Sequence, residues 1–259
     1  MYYLDMNKIS IIPIGSGSTG NCFFIEIGKY SLLIDMGIGY RKVKEALEFS
    51  GKDICQINAI FLTHGHYDHV KAASPISNNT FCKVYADQSS MYSICKIKSE
   101  RIILNIDETV EVLPGLKVRM FSLPHDFVRT CGYTFEYEDR KLGFVTDCGK
   151  MNKNIIEELK GCDPIIIESN HDVEMLKNGP YPKELQKRIM SKYGHLSNEE
   201  CADTIYELYK HGTRNFLLAH ISLKNNTPDL ALKAVKDRMK DKEISLYACP
   251  FEGKDLLKY

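Results

Sequence analysis

The heptapeptide Thr63-His64-Gly65-His66-Tyr67-Asp68-His69 constrains this chain more than any other stretch. Three imidazoles and one carboxylate fall within six positions, directly after the apolar run 57–62, which reads as a buried strand. Histidine is the commonest metal ligand at neutral pH, and Asp adds a hard oxygen donor. Left unpaired at a buried strand end, four such groups would be costly, and a metal removes that cost. The competing reading is a polar surface loop that happens to be rich in histidine. Spacing argues for the metal. Side chains two apart on extended backbone point to the same side, so His64 and His66 can share one ion. Asp68 and His69, adjacent and past a bend, can turn towards a second ion nearby.

At 259 residues, one large domain over 1–259 is expected, because α/β folds of this size often stay undivided. A hydrophobic share of 44% readily supplies a core. Lys+Arg and Asp+Glu are equal at 34 each, so no global field draws in nucleic acid. That counts against a DNA-coating protein and leaves room for an enzyme with a local basic groove. The nine cysteines are odd in number, scattered and never in C-x-x-C. Free buried thiols in a reducing cytosol suit them better than a disulfide framework or a zinc knuckle. Met1-Tyr2-Tyr3-Leu4-Asp5 does not begin as a secretory leader does, and no run approaches the roughly 18 apolar residues of a membrane span. A cytoplasmic protein that touches no membrane is the expectation.

Along the chain, β-branched and aromatic runs predict strands over 9–14, 22–27, 31–35, 57–62 and 84–86. Further strands follow over 101–106, 108–113 and 117–123, and a hairpin pairs 133–137 with 141–146. The last strands fall over 163–168, 214–219 and 244–248. Helices are expected over 41–50, 88–98, 152–160, 182–192, 198–210 and 228–240. Ser197-Asn198-Glu199-Glu200 forms a capping box for the fifth of these, and Pro182 suits a first turn. Strands in runs, then alternating with helices, fit two packed sheets with helices outside. Ser16-Gly17-Ser18-Thr19-Gly20-Asn21 joins the first two strands; its amides, with Ser18 and Asn21, either face an anion or make a plain hairpin turn.

The H-x-H-x-D-H pattern resembles the metallo-β-lactamase fold superfamily, which implies an αββα sandwich, an α/β (α+β) architecture. It also implies where the other ligands lie. His125 would join His64 and His66 on the first ion, His220 would join Asp68 and His69 on the second, and Asp147 would bridge. Seven of the eight histidines fall at expected strand ends or in the loops after them; His211, at a helix C-terminus that favours a cation, reads as structural. Two such ions would lower the pKa of a bridging water and clamp substrate oxygens, with Asp68 orienting the water and taking its proton. A Glu at position 66 would have raised a redox di-iron site as a rival; His66 favours hydrolysis. Zn²⁺ suits the donors well, and Mn²⁺ and Fe²⁺ are compatible.

Tyr193-Gly194-His195-Leu196-Ser197 resembles the segment in which phosphodiesterase members carry a histidine that assists the leaving oxygen; a histidine near an N-cap is the plainer reading. The wider ensemble covers almost the whole chain. It comprises 16–22, 64–69, Pro124-His125-Asp126, Thr146-Asp147-Cys148-Gly149, Glu168-Ser169-Asn170-His171-Asp172, Gly179-Pro180-Tyr181-Pro182, 194–198 and 220–226. It is similar to the bacterial YycJ/VicX (WalJ) family, whose members are regarded as metal-dependent 5′–3′ DNA exonucleases. Cys148 departs from the Thr or Ser expected beside the bridging aspartate, which suggests sensitivity to oxidation.

For substrate contact, Lys183, Lys187 and Arg188 share a helix side that either meets phosphates or is merely solvated. Tyr181 and Tyr193 could stack on bases. His171 either contacts a terminal phosphate or holds Asp172 and Glu168. DNA ends are the expected partner, with an RNA or small cyclic-phosphate phosphodiesterase and a metal-binding regulatory module as alternatives.

Overall fold

The computed structural model describes residues 4–6, 9–94 and 96–249. Residues 1–3, read above for a leader, and Cys95, in the helix expected over 88–98, lie outside them. Two seven-stranded sheets face each other. The first holds β1 (Leu4–Met6), β2 (Ile9–Gly15), β3 (Cys22–Ile27), β4 (Tyr30–Ile34), β5 (Ala59–Phe61), β6 (Lys83–Ala86) and β7 (Arg101–Ile103), in chain order. The second holds β8 (Thr109–Leu113), β9 (Leu116–Leu123), β10 (Thr130–Tyr137), β11 (Arg140–Val145), β12 (Ile165–Glu168), β13 (Asn215–Ala219) and β14 (Ser245–Ala248), again in order. Each sheet opens with antiparallel hairpins, up to β4 and up to β11, and continues with parallel strands.

Parallel strands need crossovers, which the helices supply. α1 (Tyr40–Phe49), α2 (Tyr67–Val70), α3 (Ala73–Thr80) and α4 (Gln88–Ser93) accompany the first sheet. α5 (Lys153–Leu159), α6 (Val173–Asn178), α7 (Lys183–Ile189), α8 (Asn198–Lys210) and α9 (Pro228–Met239) accompany the second. Side-chain alternation builds the layers. On β3, Phe23, Ile25 and Ile27 enter the core between the sheets, while Cys22 and Phe24 face Val43 and Leu47 of α1. On β12, Ile166 points inward and Ile165 and Ile167 meet Ile205 and Leu208 of α8. The result is the αββα sandwich that the family resemblance implied.

Three helices escape the sequence pattern: the single turn α2, then α3 and α6. α3 reads Ala-Ser-Pro-Ile-Ser-Asn-Asn-Thr, mostly poor helix formers, and buries only Ala73, Ile76 and Ser77; Pro75 is tolerated because it lies in the first turn. α6 buries only Leu176 and starts where Asp172 accepts from the Met175 N–H. The helices expected over 88–98 and 182–192 stop early, at Ser93 and Ile189. Among the described residues no helix is long and apolar enough to cross a membrane, and the eight described cysteines are free.

What matters for chemistry is one rim. Strands β4, β5, β9, β11, β12 and β13 all end there; Glu168 is the last residue of β12, and just past the others come Asp35, Thr63-His64, His125, Asp147 and His220. Open α/β sheets form crevices at such carboxyl ends.

Candidate metal centre

The short strand β5 ends at Phe61, and His64 and His66 follow on the loop before α2, which carries Asp68 and His69. His64 Nε2 and His66 Nδ1 lie 2.9 Å apart. The ligand atoms of His64, His66 and His125 fall within 4.8 Å of one another, and so do those of Asp68, His69 and His220. Asp147 lies between the two nests. Its Oδ1 is 3.7 Å from His125 Nε2 and its Oδ2 is 3.4 Å from His69 Nε2. The seven residues expected to hold metal therefore lie together, and the same closeness also joins His64 to His69 and Asp147, and Asp147 to Glu168, His195 and His220.

The residues behind them fix which nitrogen faces inward. His69 Nδ1 donates to Asp35 at 2.7 Å, and His125 Nδ1 donates to the Gly194 carbonyl at 2.9 Å. His220 Nδ1 donates to Glu168 Oε1 at 2.8 Å. His64 Nδ1 is 3.1 Å from Thr63 Oγ1, whose own proton goes to Asp35. Each of these contacts leaves Nε2 towards the centre, the usual work of groups behind a metal-binding histidine. Two inward atoms, His220 Nε2 and Asp147 Oδ2, are buried and lack a hydrogen-bond partner among the described residues. Buried polar atoms are rarely left so, and the pairing of an orphan nitrogen with an orphan carboxylate oxygen suits a divalent cation.

The charges agree. Burial alone would lower His69 and His220, but Asp35 and Asp147 outweigh it for the first and Asp147 with Glu168 for the second. They carry His69 to about 9 and His220 to about 10. Burial would raise Asp147, yet the histidines around it, His220 foremost, hold it well below the usual carboxylate range. Glu168 is likewise drawn down to about 2 by His195 and His220 against its burial. His64, by contrast, is driven well below its ordinary value by burial and then by its neighbouring imidazoles.

Asp35 was given no role in the sequence, and Glu168 was named only as a partner for His171. Each is a fully buried acid at the end of an apolar strand, Leu32-Leu33-Ile34-Asp35 and Ile165-Ile166-Ile167-Glu168, and that was the available signal. Glu168 serves twice. Its Oε1 also accepts from His195 Nδ1 at 2.8 Å, and its Oε2 accepts from the Cys148 and Leu196 amides. His195 thus stands oriented beside the nests, its ring 5.0 Å from His125 and 5.1 Å from His220.

Several expected substrate contacts sit elsewhere. Asn21 is buried, exchanges hydrogen bonds with Gly17 and donates towards His69 Nε2 and Asp68, so it braces the second nest and does not face an open anion site. His171 is buried, and neither Asp172 nor Glu168 is among its hydrogen-bond partners; it joins the fold through a backbone bridge to Ser197. Burial lowers it to about 4. Lys187 pairs with Glu184 on the outer side of α7, and Lys183 donates to Gln186 and to the Lys177 carbonyl. Arg188 reaches Asp126 and, with Ser18, lines a cleft beside His195 and His220. Cys148 turns away from the centre: its thiol is buried, donates to the Lys150 carbonyl at 3.4 Å and is pushed up by burial, so the expected oxidation sensitivity has no exposed thiolate behind it.

Residues 30–221 match the beta-lactamase superfamily domain. The exodeoxyribonuclease YycJ of Bacillus anthracis is 30% identical over 234 residues, 88% of this chain and 88% of that protein. The exodeoxyribonuclease WalJ of Streptococcus pneumoniae is 28% identical over 246 residues, 92% of this chain and 90% of the other. Among solved structures, the metallo-β-lactamase fold protein YhfI from Bacillus subtilis superposes with a TM-score of 0.73 at 16% identity, over 95% of this chain and 98% of that one, which makes the fold common to both.

Proposed function

The chain belongs to the beta-lactamase superfamily and, within it, to the YycJ/WalJ family of hydrolases, and from that premise we propose that it is a two-metal phosphodiesterase that removes nucleotides from DNA ends in the 5′ to 3′ direction. His64, His66 and His125 would hold one ion, Asp68, His69 and His220 the other, and Asp147 would touch both. Divalent cations bound there would supply Lewis acidity, lowering the pKa of a water and offsetting charge on the phosphate oxygens. The donor set suits Zn²⁺ and is compatible with Mn²⁺ or Fe²⁺.

The chain's own groups do the rest. The Asp68 side chain is about a quarter exposed, on the open side of its nest, where it orients the attacking water and accepts its proton. His195, with Nδ1 fixed by Glu168, offers Nε2 as the proton donor to the departing 3′-oxygen. That oriented imidazole is the observation that carries the reading. A metal-storing or regulatory module has no use for a proton donor braced beside its ligands.

The test is hydrolysis of 5′-labelled duplex DNA, RNA of the same sequence and bis(p-nitrophenyl) phosphate, each with Mn²⁺ or Zn²⁺. Labelled mononucleotide released first from DNA is the expected result. Faster RNA cleavage, or turnover of the small diester alone, favours the phosphodiesterase alternatives, and inertness to all three favours a binding module.

A further inference from the structure

Two clefts flank the His125–His195 pair, and they differ in size. The wide one, about 570 Å³, runs past His125 between the loop carrying Phe127 and Val128 and the segment from Asn152 to Glu158. The small one, about 200 Å³, has His195 and His220 on its inner wall. We infer that the small cleft is a subsite for a single nucleotide, the unit released at each cut, and that Arg188 holds its 5′-phosphate. This rests on the phosphodiesterase reading above.

The argument starts from the proton. His195 lines the small cleft and is absent from the lining of the wide one, so the oxygen it protonates belongs to whatever occupies the small cleft. The fragment that leaves is therefore bounded by that space. Pockets that engulf a drug-sized molecule run to roughly 300–1,000 Å³, so an open cleft of about 200 Å³ is sized to hold one nucleotide in part and does not enclose two. The strand that stays attached takes the wide side.

The walls match a nucleotide in kind as well as in size. Leu185, Arg188 and Ile189 all line the cleft from α7, at spacings of three and four that put them on one helical face. Lys187 is off that face, which is why it pairs with Glu184 in solvent. Leu185 and Ile189 give an apolar surface, and the Tyr181 ring at the mouth gives a base something to stack on. Asp126 takes the Nε and Nη2 hydrogens of Arg188 and leaves Nη1 without a partner among the described residues. The guanidinium, 62% exposed, is thus tied to Asp126 along one edge and keeps donors for a phosphate, which an arginine fork recognises well.

Binding to the metal-loaded protein tests this without any turnover. A deoxynucleoside 3′-monophosphate fills the cleft with its phosphate at the metals, and the 3′,5′-bisphosphate adds the group assigned to Arg188. Calorimetry should give the bisphosphate about tenfold tighter or more, and Arg188→Ala should erase that gap. Leu185→Trp, which fills the cleft, should reduce the 3′-monophosphate to the affinity of inorganic phosphate. Equal binding of the two nucleotides, a gap that survives Arg188→Ala, or a 3′-monophosphate no tighter than inorganic phosphate would each overturn the subsite. Nucleotides that bind as expected to a protein inert towards DNA would uphold the subsite and remove the DNA reading. DNA cleavage with no nucleotide preference would do the reverse.

Discussion

Asp35, Asp147 and His220 share an unusual backbone. Their φ angles are 63°, 57° and 53°, in the left-handed region that side chains other than glycine seldom adopt, though Asp and His tolerate it better than most. Each lies within two residues of the end of β4, β11 or β13. The twist takes a side chain out of the sheet's alternation and aims it along the rim. Such strain, of order 1–3 kcal/mol per residue, persists where surrounding contacts over-determine it. Asp35 illustrates the contacts, holding Thr63 by both backbone and hydroxyl while it orients His69. Asp35→Asn should keep the fold and weaken metal binding about 10- to 100-fold, as loss of a partner behind a ligand does. Metal titration reads this directly, and unchanged affinity would remove Asp35 from the account. The same residues set a pH dependence. In the metal-free protein His69 and His220 are raised from 6.5 to about 9 and about 10, burial being outweighed by the facing carboxylates. Stability from a raised pKa is complete below the unfolded value and lost as pH climbs through the folded one. With chelator present, Tm should fall between about pH 6.5 and 10, and with saturating Zn²⁺ or Mn²⁺ it should hold, because a cation takes the protons' place. Parallel Tm curves would mean that neither imidazole meets a metal.

At the level of elements, the site depends on loops that press against one another. The Gly37 N–H donates to the Asn21 carbonyl at 2.7 Å, and a Cβ at Gly37 would collide with the Asp68 carbonyl. The turn after β4 therefore sets the height of the metal loop. Gly37→Ala should cost about 1–3 kcal/mol in denaturant unfolding and lower metal affinity with it, since both Asp68 and the Asn21 backbone must give way. A neutral outcome would show that the metal loop shifts freely. The sequence was informative where period and punctuation were strong. The strand at Cys22–Ile27 and the helix Asn198–Lys210 were legible to the residue, the first from its run of β-branched and aromatic residues and the second from the Ser197 cap. It was weak where tertiary contact overrides propensity, as in α3, and silent on which basic residue of α7 faces the site. Reading Lys187 and Arg188 together treated the helix face as wider than it is; only Arg188 lies with Leu185 on the cleft side.

On the scale of the whole molecule, both sheets follow one plan, hairpins and then parallel strands, and the centre forms where their carboxyl ends meet. The core between them is aromatic. Phe61 stacks on Tyr85 with ring centroids 5.0 Å apart and meets Phe135 edge-on at 4.9 Å. Phe61→Ala should cost about 3–5 kcal/mol in unfolding free energy. Because β5 carries the metal loop three residues later, apparent metal affinity should drop too. That these seven side chains come together was legible from the clustered histidines at 64–69 and from the family resemblance, because metal-binding chemistry tolerates few residue types. The acids that orient them were hidden, because burial is a property of the packed sheets and not of neighbours in the chain. The account's central claim is the pair of ions, and a crystal structure of metal-loaded protein with anomalous data at the metal edge tests it most directly. Two peaks are predicted, one among His64, His66 and His125 and one among Asp68, His69 and His220, with Asp147 ligating both. A single peak, or density held by Glu168 and His195 instead, would contradict it.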